Sequence, residues 1–217
     1  DVLDDIKTTL NTESTLILEA PPGAGKSTVV PISLLNESWL GNKVIIMLEP
    51  RRVAARMVAV QMAKLLGEEV GQSVGYQVKM ESCYSKQTKL LVVTEAILVR
   101  KLQSDQALED VAMVIFDEFH ERSIHTDLSL ALCLQVQELL RPDLKLLIMS
   151  ATLDSLELTN LLGKIPVINS KGKIYDVENI YLETNIKQPD SKSINTLLLN
   201  ITLKAIKEDG GDILVFL

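Results

Sequence analysis

Residues 20–28 read Ala-Pro-Pro-Gly-Ala-Gly-Lys-Ser-Thr, and the rest of the chain is best understood from this stretch. Before it, residues 15–19 read Thr-Leu-Ile-Leu-Glu, a short apolar run that predicts a buried strand. After it, residues 29–35 read Val-Val-Pro-Ile-Ser-Leu-Leu and predict a core-facing helix. Pro31 removes one main-chain hydrogen bond from that helix and favours a kink or an early end. The sequence therefore predicts a strand, a glycine-rich turn and a helix in direct succession.

A glycine-rich turn in this position is typical of a phosphate-binding loop, or P-loop. Glycines let the backbone curl so that several N–H groups point at an anion, and the helix N-terminus adds partial positive charge there. Lys26 supplies a full charge for the β- and γ-phosphates, and the Ser27 hydroxyl is a suitable ligand for Mg²⁺. Ala20 departs from the strict pattern, which has glycine first. The predicted nucleotide-binding residues are Ala20, Pro21, Pro22, Gly23, Ala24, Gly25, Lys26, Ser27 and Thr28.

An acidic pair, Asp117-Glu118, follows a second buried run at residues 111–116. Open α/β sheets bind ligands in the crevice beyond the carboxyl ends of their strands, where this pair is expected. A P-loop needs a carboxylate to hold Mg²⁺ and a base to orient water, so we assign Asp117 to the metal and Glu118 to the water. Glu118 and Lys26 are accordingly the predicted catalytic residues. Taken alone, the acidic pair fits a simple strand cap equally well.

Apolar runs and helical periodicities alternate along the chain as far as about residue 162. This alternation is typical of an α/β fold, in which a mostly parallel sheet has helices on both faces. Residues 82–86 are predicted to form a polar loop, and residues 165–173 have the composition of a linker. The predicted helices are 1–10, 29–35, 51–66, 94–102, 127–140, 154–162 and 194–207, and the predicted strands are 15–19, 43–48, 73–80, 89–93, 111–116, 144–149, 175–183 and 212–217.

Composition narrows the class of protein. The chain has 217 residues, of which 47% are hydrophobic and 24% charged, which is ordinary for a globular protein. Its net charge of −7 argues against nonspecific binding to nucleic acid but leaves room for a local basic groove. Cys83 and Cys133 lie far apart in sequence, which favours reduced thiols and a cytoplasmic protein. The longest apolar run has about six residues, so we expect no membrane contact, and the first residue is not Met, so we expect a fragment.

Several short motifs occur in the order found in superfamily-two helicases of the DEAH type. The segments that resemble motifs I, II and III of that family are Gly25-Lys26-Ser27-Thr28, Asp117-Glu118-Phe119-His120 and Ser150-Ala151-Thr152. Residues 49–56, Glu-Pro-Arg-Arg-Val-Ala-Ala-Arg, resemble motif Ia, and residues 94–98, Thr-Glu-Ala-Ile-Leu, resemble motif Ib. Phe119 stands where the family name has alanine, and with the Glu-Arg-Ser that follows His120 it is most similar to the bacterial HrpB-type ATP-dependent helicases.

The resemblance implies further roles. Residues expected along a nucleic-acid strand are Arg51, Arg52, Thr94 and Glu95, and residues expected to couple the nucleotide site to a second domain are His120, Ser150 and Thr152. Arginine forks suit phosphate, and arginines at a helix start oppose the helix dipole, which favours a binding role over a merely solvated surface. The implied cofactors are ATP and Mg²⁺, and the implied partner of this monomer is single-stranded RNA or DNA.

A domain organisation follows from the same resemblance. Residues 1–168 would form a first RecA-like domain, and residues 169–217 would begin a second one that is truncated. In the family, arginines from a later motif of the second domain complete the ATP site, and such an arginine is worth about 10³–10⁵ in rate, or roughly 4–7 kcal/mol. We therefore expect residues 1–217 alone to bind nucleotide, to hydrolyse it slowly and to unwind nothing.

Two other classes of function remain open. A small-molecule kinase would need a lid and a substrate pocket after the P-loop, where this chain has Arg51 and Arg52 at a predicted helix start. A nucleotide-gated clamp or scaffold, which holds nucleic acid without separating strands, would use the same site as a helicase. RNA and DNA are not distinguished either, because contacts to the backbone carry little information about the base or the sugar.

Overall fold

The computed structural model describes residues 2–151, 163, 165–171, 177–181, 191–208 and 211–215. Contacts divide the chain into two compact units, Asp1–Ile174 and Tyr175–Leu217. The predicted boundary between a first and a second RecA-like domain, at residues 168 and 169, stays a prediction. Thr152 and the predicted helix at residues 154–162 lie outside the described residues.

The first unit contains one sheet of eight strands, in the order β4-β3-β5-β2-β6-β7-β1-β8. Every pairing in it is parallel except the antiparallel pair of β3 with β4. The strands are β1 (Thr15–Glu19), β2 (Val44–Leu48), β3 (Val74–Val78), β4 (Glu81–Cys83), β5 (Leu90–Val93), β6 (Val111–Phe116), β7 (Lys145–Ser150) and β8 (Val167–Asn169). The predicted α/β fold with a mostly parallel sheet is therefore confirmed.

Helices cover both faces of this sheet. They are α1 (Val2–Thr12), α2 (Val29–Ser33), α3 (Arg52–Leu65), α4 (Glu95–Ser104) and α5 (Ile124–Leu139). In β2, Ile45 and Met47 join a core with α1, α2 and α3, whereas Ile46 and Leu48 join a second core with α4 and α5. Successive strand residues point to opposite faces, so a strand covered on both sides must be apolar throughout.

Gln137 on α5 ties two neighbouring strands together at their starts. Its side-chain nitrogen donates to the carbonyls of Ser14 (3.1 Å) and Leu144 (2.7 Å), and its side-chain oxygen accepts from the Thr15 hydroxyl at 3.1 Å. These contacts fix β1 and β7 in register, with Glu19 beside Ser150 at their carboxyl ends. The carboxyl end of β1, which leads into the P-loop, therefore lies beside the carboxyl end of β7 at one edge of the sheet.

In the first unit, three sequence predictions need correction. The first two residues of the predicted polar loop, 82 and 83, belong to strand β4 (Glu81–Cys83), because this segment folds back as a hairpin on β3. Part of the predicted linker, Val167–Asn169, is strand β8, because the outer edge of β1 offers unpaired main-chain groups to it. Helix α5 begins at Ile124 rather than at residue 127, because the Ser123 hydroxyl accepts from the Thr126 N–H at 3.0 Å and caps the helix.

The second unit contains helix α6 (Ser191–Glu208), at the place of the predicted helix 194–207. The described parts of the two strands predicted there, residues 177–181 and 212–215, form no β-strand, because neither pairs with a strand in the described chain. Among the helices of the described ranges, none combines the length and the apolar character that a bilayer span requires.

We expect Met113→Ala to lower the free energy of unfolding by about 2–5 kcal/mol, because it leaves a cavity at a fully buried position of the central strand β6. The matched control is Met57→Ala on α3, where the side chain is 65% exposed and the loss should be small. Urea denaturation of both variants measures the difference. Equal losses would contradict the described core.

Candidate nucleotide and hydrolysis site

The loop between β1 and α2 has the backbone that its glycines allow. Gly23 and Gly25 have φ values of +78° and +80°, in the left-handed region that favours glycine. At Gly25 a Cβ atom would also meet Val29 Cγ2 at 3.1 Å. The Val29 N–H donates to the Gly25 carbonyl at 2.8 Å, which starts the first turn of α2. The loop is thus curled as an anion-binding turn requires.

A salt bridge joins this loop to the end of β6. Lys26 Nζ lies 3.1 Å from Glu118 Oε2, and the Lys26 residue is only 4% exposed. Burial of an ammonium group is costly unless an opposite charge compensates it, and Glu118 supplies that charge. The structure therefore brings the two predicted catalytic residues together on one side of the sheet.

Asp117 is buried at the same place, 1% exposed. Its Oδ1 accepts from the Glu118 N–H at 2.9 Å, and its Oδ2 has no hydrogen-bond partner in the described chain. Burial raises the pKa of this carboxyl group to about 6, and the nearby Ser27 hydroxyl acts in the opposite direction. A buried carboxylate oxygen without a partner, next to a hydroxyl, fits a divalent cation, which would complete its coordination with phosphate oxygens and water.

The backbone turns sharply after Asp117. Glu118 and Arg122 have φ values of +48° and +42°, unusual for residues with a side chain, and they bound a short 3₁₀ turn at Phe119–Glu121. Phe119 anchors this turn by packing edge-on against Phe116, with ring centroids 6.3 Å apart. We call residues 118–122 the catalytic turn. Its left-handed start directs the Glu118 side chain toward Lys26.

His120 connects the catalytic turn to the end of β7. Its Nε2 lies 3.4 Å from Glu118 Oε2, and its Nδ1 accepts from the Ala151 N–H at 3.3 Å. This second contact assigns the ring proton to Nε2, which then faces Glu118. Ser150, the residue before Ala151, is buried. Of the three predicted coupling residues, His120 thus contacts Glu118 and the residue that follows Ser150, whereas Thr152 is outside the described residues.

The residues predicted to contact nucleic acid divide into two groups. Arg51 is exposed and forks to both carboxylate oxygens of Glu121, and the exposed Arg52 donates to the Lys79 carbonyl at 2.8 Å. Thr94, in contrast, is buried just before α4. Glu95 is half-buried, and its Oε1 accepts 2.6 Å hydrogen bonds from two hydroxyls, those of Ser123 and Thr126. Of these four residues, only the two arginines are exposed.

Sequence reasoning missed two buried carboxyl groups at this edge of the sheet. Glu49, 4% exposed, directly follows β2, and burial together with the negative charge of Asp117 raises its pKa to about 7. Glu19, 6% exposed, ends β1, and its Oε1 has no partner in the described chain. Both could have been found, because each is an acidic residue at the end of a buried apolar run, as Asp117 is. Within the described residues, no three His, Cys, Asp or Glu side chains form a ready metal cage.

Comparison with known proteins gives a consistent result. A family model described as DEAD/DEAH box helicase matches residues 4–161. The ATP-dependent RNA helicase HrpB of Escherichia coli (strain K12) is 45% identical over 216 residues, which is 100% of this chain and 26% of that protein. A crystal structure of the Escherichia coli DEAH/RHA helicase HrpB has a TM-score of 0.85 and 44% identity, covering 97% of this chain and 26% of the other. A crystal structure of the E. coli DExH-box NTPase HrpB has a TM-score of 0.79 and 45% identity, and the match covers 100% of this chain and 26% of the other.

The cluster of buried carboxyl groups predicts how stability depends on pH. The pKa of Glu49 is about 7 in the folded chain, above the ordinary value of 4.5 for a glutamate, so the unfolded state releases this proton at lower pH. Without Mg²⁺, stability should therefore fall as pH rises from 4.5 through 7. Glu49→Gln should remove on the order of 2–3 kcal/mol of that fall.

Urea denaturation at pH 5, 6, 7 and 8 in a chelating buffer measures this dependence. Glu138→Gln, the same change at an exposed position of α5, is the control and should keep the wild-type slope. The same slope in Glu49→Gln and wild type would contradict the prediction.

Proposed function

Because the chain belongs to the DEAD/DEAH box helicase family, we propose that it is the nucleotide-binding part of an ATP-dependent RNA helicase. The chain spans 26% of the length of the HrpB protein it matches, so the activity of the whole protein is part of this proposal. Residues 1–168 act as the first RecA-like domain, and residues 169–217 begin the second. The observation that carries the proposal is the 3.1 Å contact between Lys26 and Glu118 beside the buried Asp117.

The loop at residues 20–28 binds the phosphates of ATP with its main-chain N–H groups. Lys26 is then shared between two anionic partners, because the phosphates and Glu118 Oε2 compete for the same buried ammonium group. Arrival of nucleotide draws Lys26 away from Glu118 and frees that carboxylate. The resting salt bridge thus keeps the base occupied until phosphate is present.

Ser27 and Asp117 would hold Mg²⁺, which supplies positive charge that stabilises the phosphates during transfer. This assignment rests on the unpartnered Asp117 Oδ2 and on the neighbouring hydroxyl. Glu118 then orients the attacking water and accepts its proton. His120 Nε2 donates toward Glu118 and fixes the orientation of that carboxylate.

We assign the coupling to the second domain to His120, Ser150 and Thr152. The contact from the Ala151 N–H to His120 Nδ1 supports this assignment, because it joins the catalytic turn to the end of β7. We assign nucleic-acid contacts to Arg51, Arg52, Thr94 and Glu95. The two arginines would bind phosphate directly. Because the Glu95 carboxylate already binds Ser123 and Thr126, we assign the contact with nucleic acid at residues 94–95 to the main chain.

The proposed nucleic acid is single-stranded RNA, because the HrpB relative is named an RNA helicase. A cytoplasmic, monomeric protein remains a prediction. So does slow hydrolysis by residues 1–217 alone, since the proposed ATP site would lack arginines from a later motif.

In the intact protein, Glu118→Gln should retain ATP binding and lower ATP turnover about 10²–10⁴-fold, because the variant loses its general base. Equilibrium binding of a fluorescent ATP analogue and a phosphate-release assay measure the two quantities. Glu138→Gln on α5 is the control and should change neither. Unchanged turnover in Glu118→Gln would refute the assigned base, and lost binding would refute the separation of the two roles.

Single-stranded RNA should stimulate ATP turnover more than DNA of the same length and sequence. The measurement is the turnover of the intact protein across a titration of each strand at one fixed salt concentration, because phosphate contacts weaken steeply with salt. Equal or greater stimulation by DNA would reject RNA as the preferred substrate while leaving the nucleotide site untouched.

A further inference from the structure

The residues directly after the predicted motif II connect to both surfaces that carry predicted nucleic-acid residues. Glu121 receives the Arg51 fork from the start of α3. Ser123 and Thr126 donate to Glu95 at the start of α4. Residues 121–126 thus contact the starts of α3 and α4, the helices that follow β2 and β5.

The Arg51–Glu121 contact has the geometry of an arginine–phosphate contact. Arg51 Nε lies 3.3 Å from Glu121 Oε2, and Arg51 Nη2 contacts Glu121 Oε1, so both nitrogens of this edge of the guanidinium group are used. Planar carboxylates and phosphates present paired oxygens to the same guanidinium edge. A phosphate that binds Arg51 in this way must therefore replace Glu121.

Exposure makes such an exchange feasible. The side chain of Arg51 is 68% exposed and that of Glu121 is 32% exposed, so water and ions reach the pair. Exposed ion pairs contribute little to stability, typically 0.2–1 kcal/mol, because solvent screens them. A chain phosphate positioned by several further contacts can displace a partner that is held so weakly.

Glu121 also belongs to the catalytic turn. Its N–H donates to the Glu118 carbonyl at 2.9 Å, and the Arg122 N–H donates to the Phe119 carbonyl at 3.2 Å. The left-handed residues Glu118 and Arg122 stand at the two ends of this turn. The acid that holds Arg51 is therefore hydrogen-bonded through the main chain to the predicted base.

We propose that Glu121 competes with nucleic-acid phosphate for Arg51, and so restrains nucleic-acid binding from within the catalytic turn. This inference rests on the proposed function, since it assumes that Arg51 contacts nucleic acid. Glu121 is a positioning residue here: it acts on the bound strand only through Arg51. Through this exchange, binding of nucleic acid at Arg51 would release Glu121, which lies in the same turn as Glu118.

The test is a double-mutant cycle in the intact protein with a fluorescent oligouridylate at one fixed salt concentration. Glu121→Gln should tighten binding about 1.5- to 5-fold, the equilibrium equivalent of one exposed ion pair. Arg51→Ala should weaken binding, and in that background Glu121→Gln should have no further effect. Asp127→Asn is the matched control: Asp127 accepts from Nε and Nη2 of Arg122, the residue after Glu121, so the change removes a nearby negative charge without freeing Arg51.

Thermal unfolding of each variant verifies folding, and a merely structural loss would weaken binding rather than tighten it. Unchanged or weaker binding by Glu121→Gln would overturn the inference, as would equal tightening by Asp127→Asn. In either case the proposed function stands as long as the wild-type protein binds the oligouridylate. An equal effect of Glu121→Gln with and without Arg51 would also overturn the inference. Failure of the wild-type protein to bind the oligouridylate would overturn both.

Discussion

The salt bridge from Lys26 to Glu118 depends on the parallel sheet more than on either residue's own neighbours. The two residues are 92 positions apart in the chain, yet their side chains meet at 3.1 Å. They meet because β1 and β6 both border β7 in the same direction, so their carboxyl ends reach one edge. Parallel pairing therefore brings together two residues that no local segment of the chain could place in contact.

The same arrangement brings several carboxyl groups together where they are buried from water. Glu19, Glu49 and Asp117 are all less than 7% exposed, at the ends of strands β1, β2 and β6. Burial of carboxylates without full compensation costs stability, and the raised pKa values of Glu49 and Asp117 express that cost. A cation bound there would relieve it. The buried carboxylates thus lower the stability of the fold at the place where a bound cation would stabilise it most.

The sequence was most informative where one physical requirement determined the residues. Doubly covered strands must be apolar, so β1, β2, β5, β6 and β7 were predictable, and the P-loop backbone followed from Gly23 and Gly25. It was least informative where structure depends on distant partners. Strands β4 and β8 exist only because β3 and β1 offer open edges. Nothing local indicated that Glu95 would bind Ser123 and Thr126, or that Glu121 would hold Arg51.

Strands β4 and β8 have a further consequence for association. They are the outermost strands, and each has only three residues. A long free edge would act as a template for a foreign strand, and a three-residue edge offers few main-chain groups to copy. In the described part of the chain, the central strands are thereby shielded at both margins of the sheet. The described sheet therefore offers few unpaired main-chain groups to a foreign strand, which disfavours association by extension of this sheet.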